Sequence, residues 1–215
     1  MEQKKKTLSL SSTLNSNILS FCTATKTASV ALSVKNEITV LSSYGYKGHS
    51  TVIMQLCDDL LRKNGLNIND IDLFAVTNGP GSYTGLRIGV SAVKGLAWTG
   101  EKPCVGISTL EALANSCKTD LPYIRPVLDA RNNQGYTALF ENRNGIRRLK
   151  EDELLSFDLL EKSNDVYFVG DTEFSNPPSE TAEGAIKALK NKEILNCFEL
   201  SVNYVNKTVS GFLVN

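Results

Sequence analysis

The sequence is poor in the residues that most often build metal and disulfide sites. Its 215 residues include one histidine, His49, and five cysteines that never occur as a C-x-x-C pair. Zinc sites take histidine and cysteine ligands at short, regular spacings, and no second ligand lies three or four residues from His49. This argues against a metal site. An odd number of scattered thiols favours reduced cysteines and a cytoplasmic protein.

The chain also lacks an excess of charge and a long apolar run. Lysine plus arginine and aspartate plus glutamate number 23 each, so the formal net charge is zero. Proteins that bind nucleic acid by bulk charge rely on many lysine and arginine contacts to phosphates, and we expect this chain to meet RNA only through a partner. No run approaches the roughly 20 apolar residues of a membrane span.

Hydrophobic periodicity divides the chain into two similar parts. Apolar runs of period two predict three strands within residues 17–42, and a period near 3.6 then predicts helices at 50–64, 83–98 and 109–117, with buried strands between them. A shorter series over 124–190 repeats this order. The repeat predicts an α/β protein with two lobes, duplicated β-β-β-α-β-α units, mixed sheets and a cleft between the lobes.

These patterns also suggest domain limits. Residues 1–16 are rich in lysine and hydroxyl side chains and are expected to be a disordered extension. The first lobe is expected over residues 17–118. A smaller, degenerate second lobe is expected over 119–215.

The segment NGPGSYTGLRIG, residues 78–89, joins a predicted buried strand to a predicted helix. Two glycines flank a proline, which favours a tight turn with positive φ, and the first N–H groups of the helix are available to an anion. The spacing matches neither the dinucleotide fingerprint nor the P-loop. One interpretation is a loop that contacts phosphate through Gly79, Gly81, Ser82 and Thr84.

A second interpretation rests on Gly81, Gly85 and Gly89, which recur every four residues along one side of the predicted helix. Glycine inside a helix is less stable than alanine by about 0.5–1 kcal/mol, so this repeat indicates close approach of another backbone. That backbone belongs either to the protein's own sheet and neighbouring helix or to a second subunit. The spacing alone does not separate the two.

Two further positions bear on catalysis and on nucleic-acid binding. Cys22 ends the first predicted strand, where a two-lobed nucleotide-using protein usually has an acidic residue that holds Mg²⁺ through water, and a thiol suits a hard cation poorly. The basic residues within 143–150 are followed at once by acidic ones. This pattern predicts a solvated charged face, with direct tRNA binding as the alternative.

Several motifs in register resemble one known family. They are ILSFCTATKTASVALS, GHS before a helix, LFAVTNGPGSYTGLRIGVSAVKGLA, GISTLEALA and VLDARNNQGYTALF. The sequence is similar to the TsaB (YeaZ) family, a glycoprotease M22-like branch of the ASKHA superfamily. The resemblance covers residues 18–114 and 127–140 and fades in the last third. It implies an actin-like, RNase H-like fold of two lobes.

The resemblance implies a non-catalytic accessory subunit that binds and activates the catalytic paralogue TsaD. Their complex forms N6-threonylcarbamoyladenosine at position 37 of ANN-decoding tRNAs. Further implied are a TsaE-type ATPase as partner, tRNA contact only through the complex, no membrane contact and a homodimer when alone. No cofactor of its own is expected, with ATP or ADP and Mg²⁺ only at the interface of the complex. The alternative is a nucleotide-binding or peptidase-like enzyme of the same fold.

The resemblance also favours the docking interpretation of the glycines, because in such families the two helices after the first meander make the subunit contact. The expected interface residues are Ile53, Leu56, Leu60, Gly81, Tyr83, Gly85, Leu86, Arg87 and Gly89. Leucine at position 85 or 89 is then expected to abolish complex formation while the protein stays folded. Most family members have Asp-Thr where this chain has Cys22-Thr23, which argues further against nucleotide binding by this chain alone.

Overall fold

The computed structural model has two mixed β-sheets with helices packed on them. It describes residues 6–7, 16–45, 48–160, 162–173, 175–176, 181–189, 192–195 and 197–205. The elements follow the predicted order closely: each predicted strand is found, with boundaries shifted by a few residues. The sequence pattern predicts the last helix over residues 179–190. This helix is described from residue 181, and residues 179, 180 and 190 lie outside the described part.

The first sheet has five strands in the order β4-β3-β2-β5-β6. These are β2 (Ile18–Cys22), β3 (Thr27–Val34), β4 (Glu37–Tyr44), β5 (Leu73–Gly79) and β6 (Cys104–Ser108). Strands β2, β3 and β4 pair antiparallel, whereas β5 is parallel to β2 and β6 is parallel to β5. The central strands β2 and β5 are buried on both faces, which explains their nearly unbroken apolar sequences.

Helices cover both faces of this sheet. The helices α1 (His49–Lys63) and α2 (Tyr83–Thr99) pack on one face, and α3 (Thr109–Ser116) and α4 (Thr181–Lys187) pack on the other. Serine residues begin two of them: the Ser82 and Ser108 hydroxyls accept N–H bonds three residues on and so cap α2 and α3. Among the described residues no helix is long and apolar enough to cross a membrane.

The second sheet has four strands in the order β10-β7-β8-β9. They are β7 (Tyr123–Arg131), β8 (Gln134–Asn142), β9 (Ile146–Ser156) and β10 (Val166–Gly170). Here β10 lies parallel to β7, just as β5 lies parallel to β2, and the remaining pairs are antiparallel. The duplicated units and mixed sheets expected from the sequence are thus confirmed. Apolar residues of α3 pack against this second sheet as well, so α3 lies between the two sheets.

The end of the chain returns to the first sheet. Helix α4 packs on β2, β3 and α3, with Gly184 directly against the Ala112 carbonyl group. This placement differs from the expectation that residues 119–215 all belong to the second lobe, because period and order along the chain are local signals that do not show where a late segment packs. The boundary near residue 118 stays a prediction.

The predicted N-terminal extension is described only in part. Residues Lys6–Thr7 form a two-residue strand, β1, that pairs antiparallel with β11 (Glu193–Ile194). Residues 1–5 and 8–15 lie outside the described residues, and the expectation of disorder stays a prediction for them.

Candidate partner-binding site and interlobe cleft

The glycines of the 78–89 segment face the interior of the chain. A Cβ atom on Gly85 would overlap the Thr23 carbonyl oxygen, and one on Gly89 would stand 2.5 Å from Thr23 Oγ1. A Cβ on Gly81 would lie 2.6 Å from the Ala24 carbonyl oxygen. The Thr23 hydroxyl in turn donates a hydrogen bond of 2.6 Å to the Gly85 carbonyl oxygen.

The backbone that approaches these glycines is therefore the β2–β3 connection of the same chain. This corrects the expectation that Gly81, Gly85 and Gly89 dock a second subunit. The positive φ angles expected for the turn are confirmed at Gly79 (134°) and Gly81 (150°).

Several apolar residues of the expected interface also belong to the core. Ile53, Leu60 and Leu86 are at most 1% exposed and pack on the first sheet. This corrects their assignment as well, because the 3.6-residue period marks the side of a helix that packs inward. Of the expected residues on α1 and α2, Tyr83 and Arg87 are exposed and Leu56 is half-buried.

The outward side of α2 carries a different set of residues. We call it the outer stripe: Tyr83, Arg87, Ser91, Gly95 and Trp98, all exposed. A Cβ on Gly95 would meet no atom within 4 Å, unlike one on Gly85 or Gly89. Ser91, Gly95 and Trp98 are absent from the interface expected from sequence, although they continue the spacing of three or four residues that starts at Tyr83.

A C-terminal segment, residues 197–205, lies along α2 and the end of β5; we call it the strap. Its Leu200 side chain is 1% exposed. The Asn203 N–H donates to the Asn78 carbonyl oxygen at 2.7 Å, and Asn78 Nδ2 donates to the Ser201 carbonyl oxygen at 3.1 Å. Lys94 of α2 donates from Nζ to the Leu200 carbonyl oxygen at 3.1 Å. Backbone and side-chain bonds thus hold the strap in place.

Aromatic pairs join the strap to both ends of α2. The rings of Tyr204 and Tyr83 stack with centroids 5.7 Å apart, and the centroids of Phe198 and Trp98 are 5.4 Å apart. The strap therefore runs antiparallel to α2. All four rings remain largely exposed, from 47% for Tyr204 to 71% for Phe198.

Arg87 is held between the two tyrosines of the first pair. Its guanidinium carbon lies 4.1 Å from the centroid of the Tyr83 ring, and its Nε donates to Tyr204 Oη at 3.3 Å. The hydrogen bond to Tyr204 raises the pKa of Arg87. Among the described residues, no carboxylate pairs with Arg87.

A cleft of about 520 Å³ separates the two lobes. Its lining residues come from both: Ala24, Lys26, Gly81, Ser82, Tyr83, Thr84, Leu128, Asp129, Ala130, Arg131, Tyr136 and Asp171. Lys26 of the first lobe donates from Nζ across the cleft to the Asp171 carbonyl oxygen at 3.4 Å. Within the second lobe, the Asp129 N–H donates to Asp171 Oδ1 at 2.8 Å. Burial raises the pKa of Asp171, whereas the hydrogen bond from the Asp129 N–H and the charge of Lys26 oppose the rise.

Three of the four residues expected to contact phosphate line this cleft: Gly81, Ser82 and Thr84. Gly79 does not, because the Asn203 carbonyl group of the strap covers it. The Ser82 N–H already donates to the Ala24 carbonyl oxygen at 2.8 Å, and its hydroxyl accepts from Gly85. Phosphate contact stays a prediction, with fewer free donors than the sequence suggested.

The Cys22 thiol, at the end of β2, is fully buried. Burial raises its pKa, so the group is neutral at physiological pH and offers no charge to a cation. Cys57, Cys104, Cys117 and Cys197 are also free thiols. The side chain of His49 lies outside the described residues, and in the described part no three histidine, cysteine or acidic residues are grouped to hold a metal ion.

The basic segment of the second lobe is partly neutralised by neighbouring carboxylates. Arg147 pairs with Glu141 at 2.8 Å, and Arg148 pairs with Asp152 at 2.5 Å. Arg148 also lies 3.6 Å from Glu111 of α3 and has a side chain only 20% exposed. The expectation of a solvated face is therefore wrong for Arg148, which links α3 to β9.

Comparison with known proteins decides the family. A family model described as TsaD, tRNA N6-adenosine threonylcarbamoyltransferase, matches residues 30–174. The tRNA threonylcarbamoyladenosine biosynthesis protein TsaB of Bacillus subtilis strain 168 is 35% identical over 162 residues, which cover 71% of this chain and 70% of that protein. The chain belongs to the TsaB (YeaZ) family.

Other members of the TsaB family agree with this assignment. TsaB of Escherichia coli K12 is 34% identical over 139 residues, covering 63% of this chain and 60% of the E. coli protein, which is less than two thirds of its length. A crystal structure from Pseudomonas aeruginosa, described as similar to the peptidase YEAZ, has a TM-score of 0.77 at 19% identity and covers 89% of this chain and all of that one. Together with the duplicated sheets, this likeness confirms the actin-like fold.

Proposed function

We propose that this chain is a non-catalytic accessory subunit in the formation of N6-threonylcarbamoyladenosine at position 37 of ANN-decoding tRNAs. In this role it binds and activates a TsaD-type catalytic paralogue through the outward sides of α1 and α2. The observation that carries the proposal is the outer stripe of α2 in a chain of the TsaB family. Tyr83, Arg87 and Trp98 are of the residue types that dominate binding energy at protein interfaces.

The exposure of these side chains is the main physical support. Trp98 is 65% exposed and Tyr83 is 55% exposed, although each could bury a large apolar area in a complex. On α1 the neighbouring outward residues include Met54, 41% exposed, and the half-buried Leu56. Two helices thus present apolar and aromatic surface that the monomer leaves largely uncovered.

The chemistry of Cys22 supports a non-catalytic role. A two-lobed nucleotide-using protein usually has an acidic residue at the end of the first strand, which holds Mg²⁺ through water. Here the position holds a buried thiol with a raised pKa. A neutral thiol does not attract a hard cation, and catalysis is therefore assigned to the partner.

Co-purification with the TsaD-type paralogue of the same organism tests the proposal. Size-exclusion chromatography with light scattering should show a stoichiometric heterodimer. tRNA should join only when the paralogue is present, and the TsaE-type ATPase should add to the complex. Two separate peaks, with TsaE-type protein, ATP and Mg²⁺ all supplied, would refute the proposal.

Two measurements on the isolated chain separate the accessory role from the enzyme alternative. Analytical ultracentrifugation should show a two-fold dimer, because the surface meant for a paralogue of similar fold can pair with itself. Titration calorimetry with ATP and Mg²⁺ should show no binding, since we place any nucleotide at the interface of the complex. Tight ATP binding by the chain alone would favour an enzyme that uses the interlobe cleft.

A further inference from the structure

We infer that the strap forms part of the partner-binding surface, with Gly95 as the point of closest approach and Arg87 as the anchor for a carboxylate of the partner. The inference rests on the proposed function and names which residues of this chain carry it. The segment that binds this surface is a helix of the TsaD-type paralogue, which crosses the middle of α2. This partner helix presents an aspartate or glutamate to Arg87, near the N-terminal end of α2.

The first argument is the cost of Gly95. Gly85 and Gly89 are required by the close approach of Thr23, but a Cβ at Gly95 would enter open space. Glycine in a helix is less stable than alanine by roughly 0.5–1 kcal/mol. No close contact with the described part of the chain requires a glycine at position 95. A helix of another protein that packs closely at this position supplies the missing reason.

The second argument is the shape of the surface. Small residues, Ser91 and Gly95, occupy the middle of the outer stripe, and an aromatic pair stands at each end. The surface therefore has a shallow depression between two aromatic pairs, in which a helix can lie. The strap supplies one ring of each pair, so both sides of the depression depend on the strap.

The third argument is that the Arg87 side chain is already held in one conformation. The Tyr83 ring and the Tyr204 hydroxyl hold its guanidinium in place, which lowers the entropy lost when it binds. Its charge has no carboxylate partner among the described residues, and a guanidinium matches a carboxylate through two parallel hydrogen bonds. Charge complementarity therefore favours an acidic residue on the partner helix.

Binding of the full chain to the purified paralogue, measured by calorimetry, tests the inference. We expect Gly95→Leu to weaken binding by about thirty-fold or more, while its melting temperature stays at or above that of the wild type. Arg143→Leu, on an exposed turn of the second lobe, is the matched control and should bind as the wild type does. Equal affinity of Gly95→Leu and wild type would overturn the inference.

Variants of the strap and of Arg87 give a second test. Phe198→Ser and Arg87→Glu should each weaken binding about ten-fold or more, and Arg87→Lys should lose less than Arg87→Glu because it keeps the charge. If Gly95→Leu abolishes only self-association, the surface belongs to a homodimer and the inference fails. If the wild type itself does not bind the paralogue, the proposed function is refuted; wild-type binding with unaffected variants refutes the inference alone.

Discussion

The glycines on the inner and outer sides of α2 have opposite surroundings. On the inner side, Gly85 and Gly89 let the helix approach the Thr23 backbone and hydroxyl. On the outer side, Gly95 stands in open space between two exposed aromatic pairs. The same residue type thus stabilises the monomer on one side and leaves room for a neighbour on the other. A glycine repeat along a helix predicts close approach, but the direction of approach depends on the rest of the fold.

The largest expected effect is on the inner side. Gly85→Ala places a Cβ atom into the Thr23 carbonyl oxygen, and since backbone cannot move aside cheaply, we expect the free energy of unfolding to fall by about 3 kcal/mol. Gly89→Ala should lose less, because it meets the Thr23 side chain instead. Urea unfolding measures both. A Gly85→Ala protein as stable as the wild type would contradict the inward assignment.

The second expected effect concerns the hydrogen bond that accompanies this contact. Thr23→Val keeps the shape of the side chain but removes the 2.6 Å bond from Thr23 Oγ1 to the Gly85 carbonyl oxygen. We expect a loss of about 1–2 kcal/mol in the free energy of unfolding. Thr39→Val, on β4 at the edge of the first sheet, is the control and should change stability by less than about 0.5 kcal/mol.

A third prediction concerns the inner side of α1, where Cys57 is 3% exposed. Burial, and then the charge of Asp58, raises the pKa of Cys57 from 9.0 to about 12. Above pH 9 the unfolded chain loses this proton while the folded chain keeps it, so stability is lost as pH rises from 9 toward 12. Between pH 9 and pH 10 the loss should be about 1 kcal/mol.

Urea unfolding at pH 8, 9 and 10 checks the prediction for Cys57. The Cys57→Ala variant should lose about 1 kcal/mol less than the wild type over the last pH unit, whatever its stability at pH 8. Identical pH dependence in the two proteins would show that this thiol titrates normally in the folded state.

The smallest expected effect is on the outer side and has the opposite sign. Gly95→Ala should raise the free energy of unfolding by about 0.5–1 kcal/mol, because alanine favours the helix and its methyl group meets no atom. Thermal unfolding of both variants should show a higher melting temperature than the wild type for Gly95→Ala and a lower one for Gly85→Ala. Destabilisation by Gly95→Ala would mean that this side of α2 is packed within the chain.

The elements of the fold followed from local patterns. Alternation of apolar residues located β2, β3 and β4, and the change of period at residue 50 located α1, because these periods reflect which side of an element is buried. The duplicated order predicted two lobes, and the motif at residues 78–89 carried the family resemblance. These features depend on residues close together in the chain, so a single sequence contains them.

The candidate site depended on contacts between distant residues. The apolar period that includes Ile53, Leu60 and Leu86 could be seen in the sequence, but these residues belong to the core. A helix side that packs in the core and one that binds a partner can both be apolar, so the sequence pattern did not distinguish them. The strap was not predicted at all. It lies about a hundred residues from α2 in the chain, and no periodic signal marks its hydrogen bonds to Asn78 and Lys94.

Patterns in the amino-acid sequence were enough to predict the lobes, the order of strands and helices, the family and the presence of close approaches at glycine. The packing of distant segments was needed to show which glycine faces inward, where α4 and the strap pack, and which side chains of α2 remain exposed. Period and spacing describe one element at a time. Burial is a property of the whole chain, set by what finally covers each face.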